Sequence, residues 1–126
     1  MSKVTSDRLG AKVDIITRKG ASFHRRFHAQ ILSGETLVDY DLSAFSGATL
    51  EVKKSYNSPV VELTFTTEAG TIILLTEGKF DLTLSDVDMN ELRSGEYVYD
   101  MYLRSATYPK RDFIFGTFTI SEKVTD

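Results

Sequence analysis

Residues 92–103 read LRSGEYVYDMYL, with tyrosines recurring at alternate positions directly behind a glycine. A two-residue period puts Tyr97, Tyr99, Met101 and Leu103 on one face and Val98, Asp100, Tyr102 and Arg104 on the other. One face is apolar and the other mixed, as in a strand that covers a core on one side. No nucleophile, base or metal cluster accompanies the stretch, so it speaks for architecture rather than catalysis.

The same period extends outward in both directions. Towards the C-terminus, DFIFGTFTIS places Ile114, Gly116, Phe118 and Ile120 on one face and Phe113, Phe115, Thr117 and Thr119 on the other. Apolar residues on both faces at its start predict a central or covered strand, with Gly116 at a bulge or a close backbone approach. Towards the N-terminus, KFDLTLS carries Phe80, Leu82 and Leu84 on one side, VVELTFT turns Val61, Leu63 and Phe65 inward, and ATLEVKKS aligns Ala48, Leu50 and Val52. Lys53 and Lys54 at the end of that run discourage edge-to-edge pairing. In ASFHRRFHAQIL, Phe23, Phe27, Ala29 and Ile31 alternate with His24, Arg26, His28 and Gln30, and Arg25 intrudes on the apolar side. VDIIT and GTIILL complete the strand candidates, with a turn at Gly20 after the first. In the connection SGETLVDYDLSAFSG, Leu37, Val38, Leu42 and Phe45 are expected to tuck beneath the sandwich. SDVDMNEL alone resembles a helix, a single turn capped by Ser85 with Asp86 and Asp88 near the positive end of its dipole.

Seven or eight short strands, with turns roughly every 8 to 14 residues, have the spacing of an all-β sandwich. In immunoglobulin-like sandwiches a tyrosine near the start of the sixth strand bonds its hydroxyl to upstream backbone, forming a tyrosine corner. Leu92, Gly95 and Tyr97 supply an anchor, a bend and the corner tyrosine in that order. Tyr99 then stands where antibody domains carry a cysteine. The expected fold is an immunoglobulin-like antiparallel β-sandwich over residues 13–126 with one short helical turn, preceded by a flexible arm over residues 1–12.

The chain has 126 residues, enough for one domain with its own core. It has no cysteine, which excludes disulfides and thiolate metal sites. A net charge of -3 with interspersed signs argues against nucleic acid and anionic membranes as partners. No apolar run approaches a bilayer span, and the N-terminus lacks the apolar core of a signal peptide.

Candidate chemistry is sparse. His24 and His28 have ligand spacing on a helix, but on a strand they stand about 13 Å apart, too far for one zinc ion. A polar interaction face shared with Arg26 is the better reading. Asp86, Asp88, Asn90 and Glu91 lack the glycine and distal glutamate of a calcium loop. Asp39 and Asp41 read as turn residues rather than an acid-base pair. The eight phenylalanines and six tyrosines raise a sugar-binding platform, yet most fall at core-facing positions and tryptophan is absent. An enzyme, a cofactor and a metal site are therefore not expected.

The order of pieces resembles a family of small bacteriophage and prophage structural proteins, similar to the N-terminal immunoglobulin-like module of some baseplate and receptor-binding proteins. The opening DIITRKGASFHRRFHAQI matches at Gly20 and Phe23, and DLSAFSGATLEVKKS at Asp41 and Leu42. Leu92, Gly95, Tyr97, Tyr99 and Asp100 match the pattern L-x-x-G-x-Y-x-Y-D, and Gly116, Phe118, Ile120, Val124 and Thr125 match the closing strand. The resemblance covers residues 13–125 and implies a virion component made in the bacterial host cytoplasm. Larger members continue into stalk or tip domains, so a small head or tail adaptor or decoration subunit is expected here. Its partners would be other virion structural proteins and copies of itself. A carbohydrate- or surface-binding adhesin module is the alternative. Candidate interface residues are Val4 and Leu9 in the arm, ordering on assembly, and His24, Arg26 and His28 on the long strand.

Overall fold

The computed structural model describes residues 2–6, 11–19, 22–107 and 109–122, with residues 2–6 given through their backbone alone. Eleven strands among them form two sheets. They are β1 (Ser2–Ser6), β2 (Ala11–Lys12), β3 (Ile15–Arg18), β4 (Phe23–Ser33), β5 (Thr36–Asp39), β6 (Gly47–Lys53), β7 (Leu63–Thr66), β8 (Ile72–Leu74), β9 (Lys79–Leu84), β10 (Gly95–Arg104) and β11 (Arg111–Ser121). The first sheet runs β1-β4-β9-β8, with β5 also paired to β4. The second runs β2-β11-β10-β6-β7, with β3 also paired to β11. Most neighbours are antiparallel, but β1 joins β4, and β2 and β3 join β11, in parallel.

Alternate residues of both sheets meet in one core. Phe27 stacks on Phe80 at 5.0 Å within the first sheet, while Phe23 meets Phe118 at 5.9 Å and Phe80 meets Phe113 at 5.5 Å between the sheets. Tyr97, Tyr99, Met101 and Leu103 are all buried, as their spacing predicts. Pairing of β10 with β11 shifts after Met101, which opposes Ile114, while Tyr102 opposes Asp112. Phe113 is the extra residue, and this bulge is why both Phe113 and Ile114 reach the core. Gly116 is a close approach instead: a Cβ there would lie 2.3 Å from the Val13 carbonyl oxygen.

The β4 strand serves two partners. Phe23–His28 pairs with β9 and Gln30–Ser33 with β5. At the changeover Ala29 donates its N–H to the Gly78 carbonyl at 2.7 Å and accepts from the Tyr40 N–H at 3.0 Å. Gly78 follows Glu77 in a turn closed by the Lys79 N–H on the Thr76 carbonyl, and their φ of 74° and 60° define a type I′ hairpin turn. The helical turn α1 (Asp86–Asn90) is capped by the Ser85 side chain, which accepts from the Asp88 N–H, and it buries Met89.

Three expectations change. Leu37 and Val38 do not tuck under the sandwich: they are 46% and 40% exposed, because β5 folds back on the outer end of β4. Of the four apolar residues expected there only Leu42 is buried, with Phe45 half-buried, and Val61 lies outside β7 and is exposed. The arm foreseen over residues 1–12 contains two paired segments, β1 on β4 and β2 on β11. Backbone bonding to an open strand edge orders such a segment without apolar side chains. Gly20, Leu9, Val124 and Thr125 lie outside the described residues, as does the side chain of Val4.

Tyr97 donates its hydroxyl to the Arg93 carbonyl four residues upstream at 2.8 Å. Tyr99 likewise donates its hydroxyl to the carbonyl of Val13, between β2 and β3 of the same sheet, at 2.5 Å, and burial pushes its phenol pKa far up. Tyr97→Phe is expected to cost about 1 kcal/mol or somewhat more, since the Arg93 carbonyl loses its donor. Chemical denaturation checks this; an unchanged midpoint removes the corner from the account of stability.

Candidate functional site

Alternation along β4 sends His24, Arg26, His28 and Gln30 to the outer face of the first sheet, and register places Asp81 opposite Arg26 and Asp39 opposite Gln30. Arg26 grips Asp81 with two bonds, Nε to Oδ1 at 2.7 Å and Nη2 to Oδ2 at 3.0 Å. His24 Nε2 lies 3.3 Å from the same carboxylate, and His28 Nε2 lies 2.6 Å from Asp39 Oδ1. The two histidines thus turn to different carboxylates. Among the described residues no group of three or more His, Asp and Glu side chains is placed to hold a metal ion.

Asp81 is buried, and its pKa is held below the ordinary aspartate value, chiefly by the hydrogen bonds from Arg26, which outweigh the opposing effect of burial. A depressed folded-state pKa stabilises the fold above the unfolded value, and that contribution is lost as pH falls through the folded one. Asp81→Asn is therefore expected to flatten the fall in melting temperature between about pH 5 and pH 2, while lowering it at neutral pH. Parallel pH-dependent slopes for the two proteins would count against it.

Other polar residues serve the framework. Arg25 crosses to β3, donating to the Ile16 carbonyl at 2.8 Å with its guanidinium 5.6 Å from the Phe23 ring centroid. This explains an arginine at a core-side position. Asp41 accepts from the Ser43 N–H at 3.0 Å and so caps the 3-10 turn Leu42–Ala44. Arg104 ties β10 to the turn after β7 through Glu68 Oε1 at 2.7 Å and to β6 through the Ala48 carbonyl at 3.2 Å.

Two features were not foreseen from sequence. The hairpin β4–β5 presents apolar side chains on both of its faces: Ile31 opposes Val38 on one and Leu32 opposes Leu37 on the other, with Leu32 43% exposed. A cleft of about 490 Å³ opens beside it, lined by Ile31, Tyr40, Asp41, Phe45, Thr107 and Arg111. The second feature lies on the outer face of the other sheet. Tyr56, in the loop between β6 and β7, bonds its hydroxyl to the Gly116 carbonyl at 3.1 Å, so its ring lies across β10 and β11. Nothing in the sequence around Tyr56 indicates that its ring reaches a strand sixty residues away.

No protein-family model matches the chain, and no curated protein matches it.

Proposed function

We propose that the sandwich is immunoglobulin-like and that the chain is a non-enzymatic virion structural protein, an adaptor or decoration subunit of head or tail that docks on other structural proteins. The fold part is supported by the strand order, by the parallel pairing of an early strand with the last one, and by the bond from Tyr97 to Arg93. The docking part rests on one observation, the β4–β5 hairpin with Leu32, Leu37 and Val38 in solvent. An element apolar on both faces cannot satisfy both against its own domain, and such patches mark protein contacts. The virion assignment rests on the sequence resemblance.

The experiment is mass spectrometry of particles purified from the phage-producing strain that encodes the chain. The wild-type chain is expected in fixed ratio to capsid or tail proteins, and the double variant Leu32→Asp, Leu37→Asp is expected to be depleted. Particles without the wild-type chain would overturn the reading.

A carbohydrate-binding module is a second reading, favoured by the exposed rings of Tyr56 and Phe115 on the second sheet. Binding on a glycan array would support it.

A further inference from the structure

Across the middle of the second sheet, one row of opposed residues runs Lys12, Phe115, Asp100, Glu51 and Thr64. Asp100 and Glu51 are thus direct cross-strand neighbours of like charge, an arrangement that destabilises a sheet. Both are half-buried, and neither side chain makes a hydrogen bond or ion pair among the described residues. Lys53 and Lys12 share the face, yet neither comes within ion-pair distance of them.

The acids do not stand alone. A hollow of about 300 Å³ is lined by Tyr56, Asp100, Asp112 and Phe115, and a smaller one that shares Tyr56 and Asp100 with it is lined also by Glu51 and Lys53. Tyr56 is 53% exposed although its hydroxyl is fixed to backbone, and Phe115 is 37% exposed beside it. The face therefore offers a pinned aromatic ring, a second ring, and a carboxylate pair whose mutual repulsion is unrelieved. A neutral sugar would stack on the rings but leave the repulsion in place. A planar cation answers both, since guanidinium stacks on aromatic faces and donates paired N–H groups to carboxylates.

We propose that this hollow receives the arginine guanidinium of a partner protein, stacked against Tyr56 and Phe115 and hydrogen-bonded to Asp100, with the charge of Glu51 directly opposite Asp100 in register adding to the attraction. The proposal rests on the docking reading and names a second contact within it, on the sheet opposite to the one that carries the hairpin.

The test is a titration of the ¹⁵N-labelled full chain with acetyl-Gly-Arg-Gly-amide, and with the same peptide carrying citrulline, which keeps the shape and removes the charge. Saturable shifts are expected at Glu51, Tyr56, Asp100 and Phe115, with the citrulline peptide at least about tenfold weaker. Asp100→Asn combined with Glu51→Gln is expected to abolish the difference between the peptides while raising the melting temperature, because a repelling pair is removed. Equal binding of both peptides, shifts elsewhere on the chain, or no saturable shift would overturn the proposal. So would shifts at these residues with methyl glucoside but not with the arginine peptide, which would favour the sugar reading. Failure here leaves the hairpin test untouched: a chain found in purified particles but blind to the arginine peptide keeps its docking role and loses this contact.

Discussion

Phe118→Ala is expected to lower stability by about 3 to 5 kcal/mol. Phe118 is fully buried on β11 and meets three other rings, Phe23 at 5.9 Å, Phe65 at 6.3 Å and Tyr99 at 6.5 Å. Phe23 belongs to the first sheet and the other two to the second, so the cavity would open where the sheets meet. The neighbours are themselves wedged: the Tyr99 hydroxyl is held by Val13, which limits collapse into the gap. A loss of that size is a large share of the roughly 5 to 15 kcal/mol that holds a typical domain together. Urea denaturation checks it, and a loss below about 1.5 kcal/mol would show that the surrounding rings repack freely.

The second large effect is expected at Gly116, two residues earlier. A Cβ there would stand 2.3 Å from the Val13 carbonyl oxygen and 2.9 Å from Asp14 Oδ1, so the first collision is with backbone rather than a mobile side chain. The step from β2 to β3 runs closely along β11 at this point, fixed by the Val13 N–H on the Phe115 carbonyl at 2.8 Å and by the Thr117 N–H on Asp14 Oδ1 at 3.0 Å. That second bond also holds the Asp14 carboxyl below its ordinary pKa. Gly116→Val is expected to cost about 3 kcal/mol or more, as forced overpacking against backbone does. It should also raise amide exchange over Ile15–Arg18. A stability within about 1 kcal/mol of wild type would mean that the β2–β3 step yields easily.

The two faces of each long strand were legible in the sequence because the side-chain period is two and the core accepts only apolar residues. Phe27, Phe80, Leu50, Tyr99 and Phe118 all point inward as their spacing requires. Pairing was not legible, because it depends on which strand edge meets which. Leu37 and Val38 carry the same apolar character as Leu42, yet they sit on a hairpin in solvent while Leu42 is buried. The candidate surface followed the same rule. His24, Arg26 and His28 reach one outer face by alternation alone, but Asp81 and Asp39 come to them through register. The acidic pair of Asp100 and Glu51 is likewise a product of register, with forty-eight residues of chain between its members.

The parallel pairing of β3 with β11 has a mechanical consequence. Ile15–Arg18 lies near one end of the described chain and Phe118–Ser121 near the other, and the two run in the same direction. Tension applied through both ends of the chain would pull them oppositely along a shared axis, so their hydrogen bonds would be loaded in shear, all at once. An antiparallel hairpin gripped at its open end would instead unzip one bond at a time. Stretching single molecules between residues 11 and 121 should accordingly require a higher force than pulling the β4–β5 hairpin open. A domain arranged in this way resists force along its own length and yields first where it is pulled from the side.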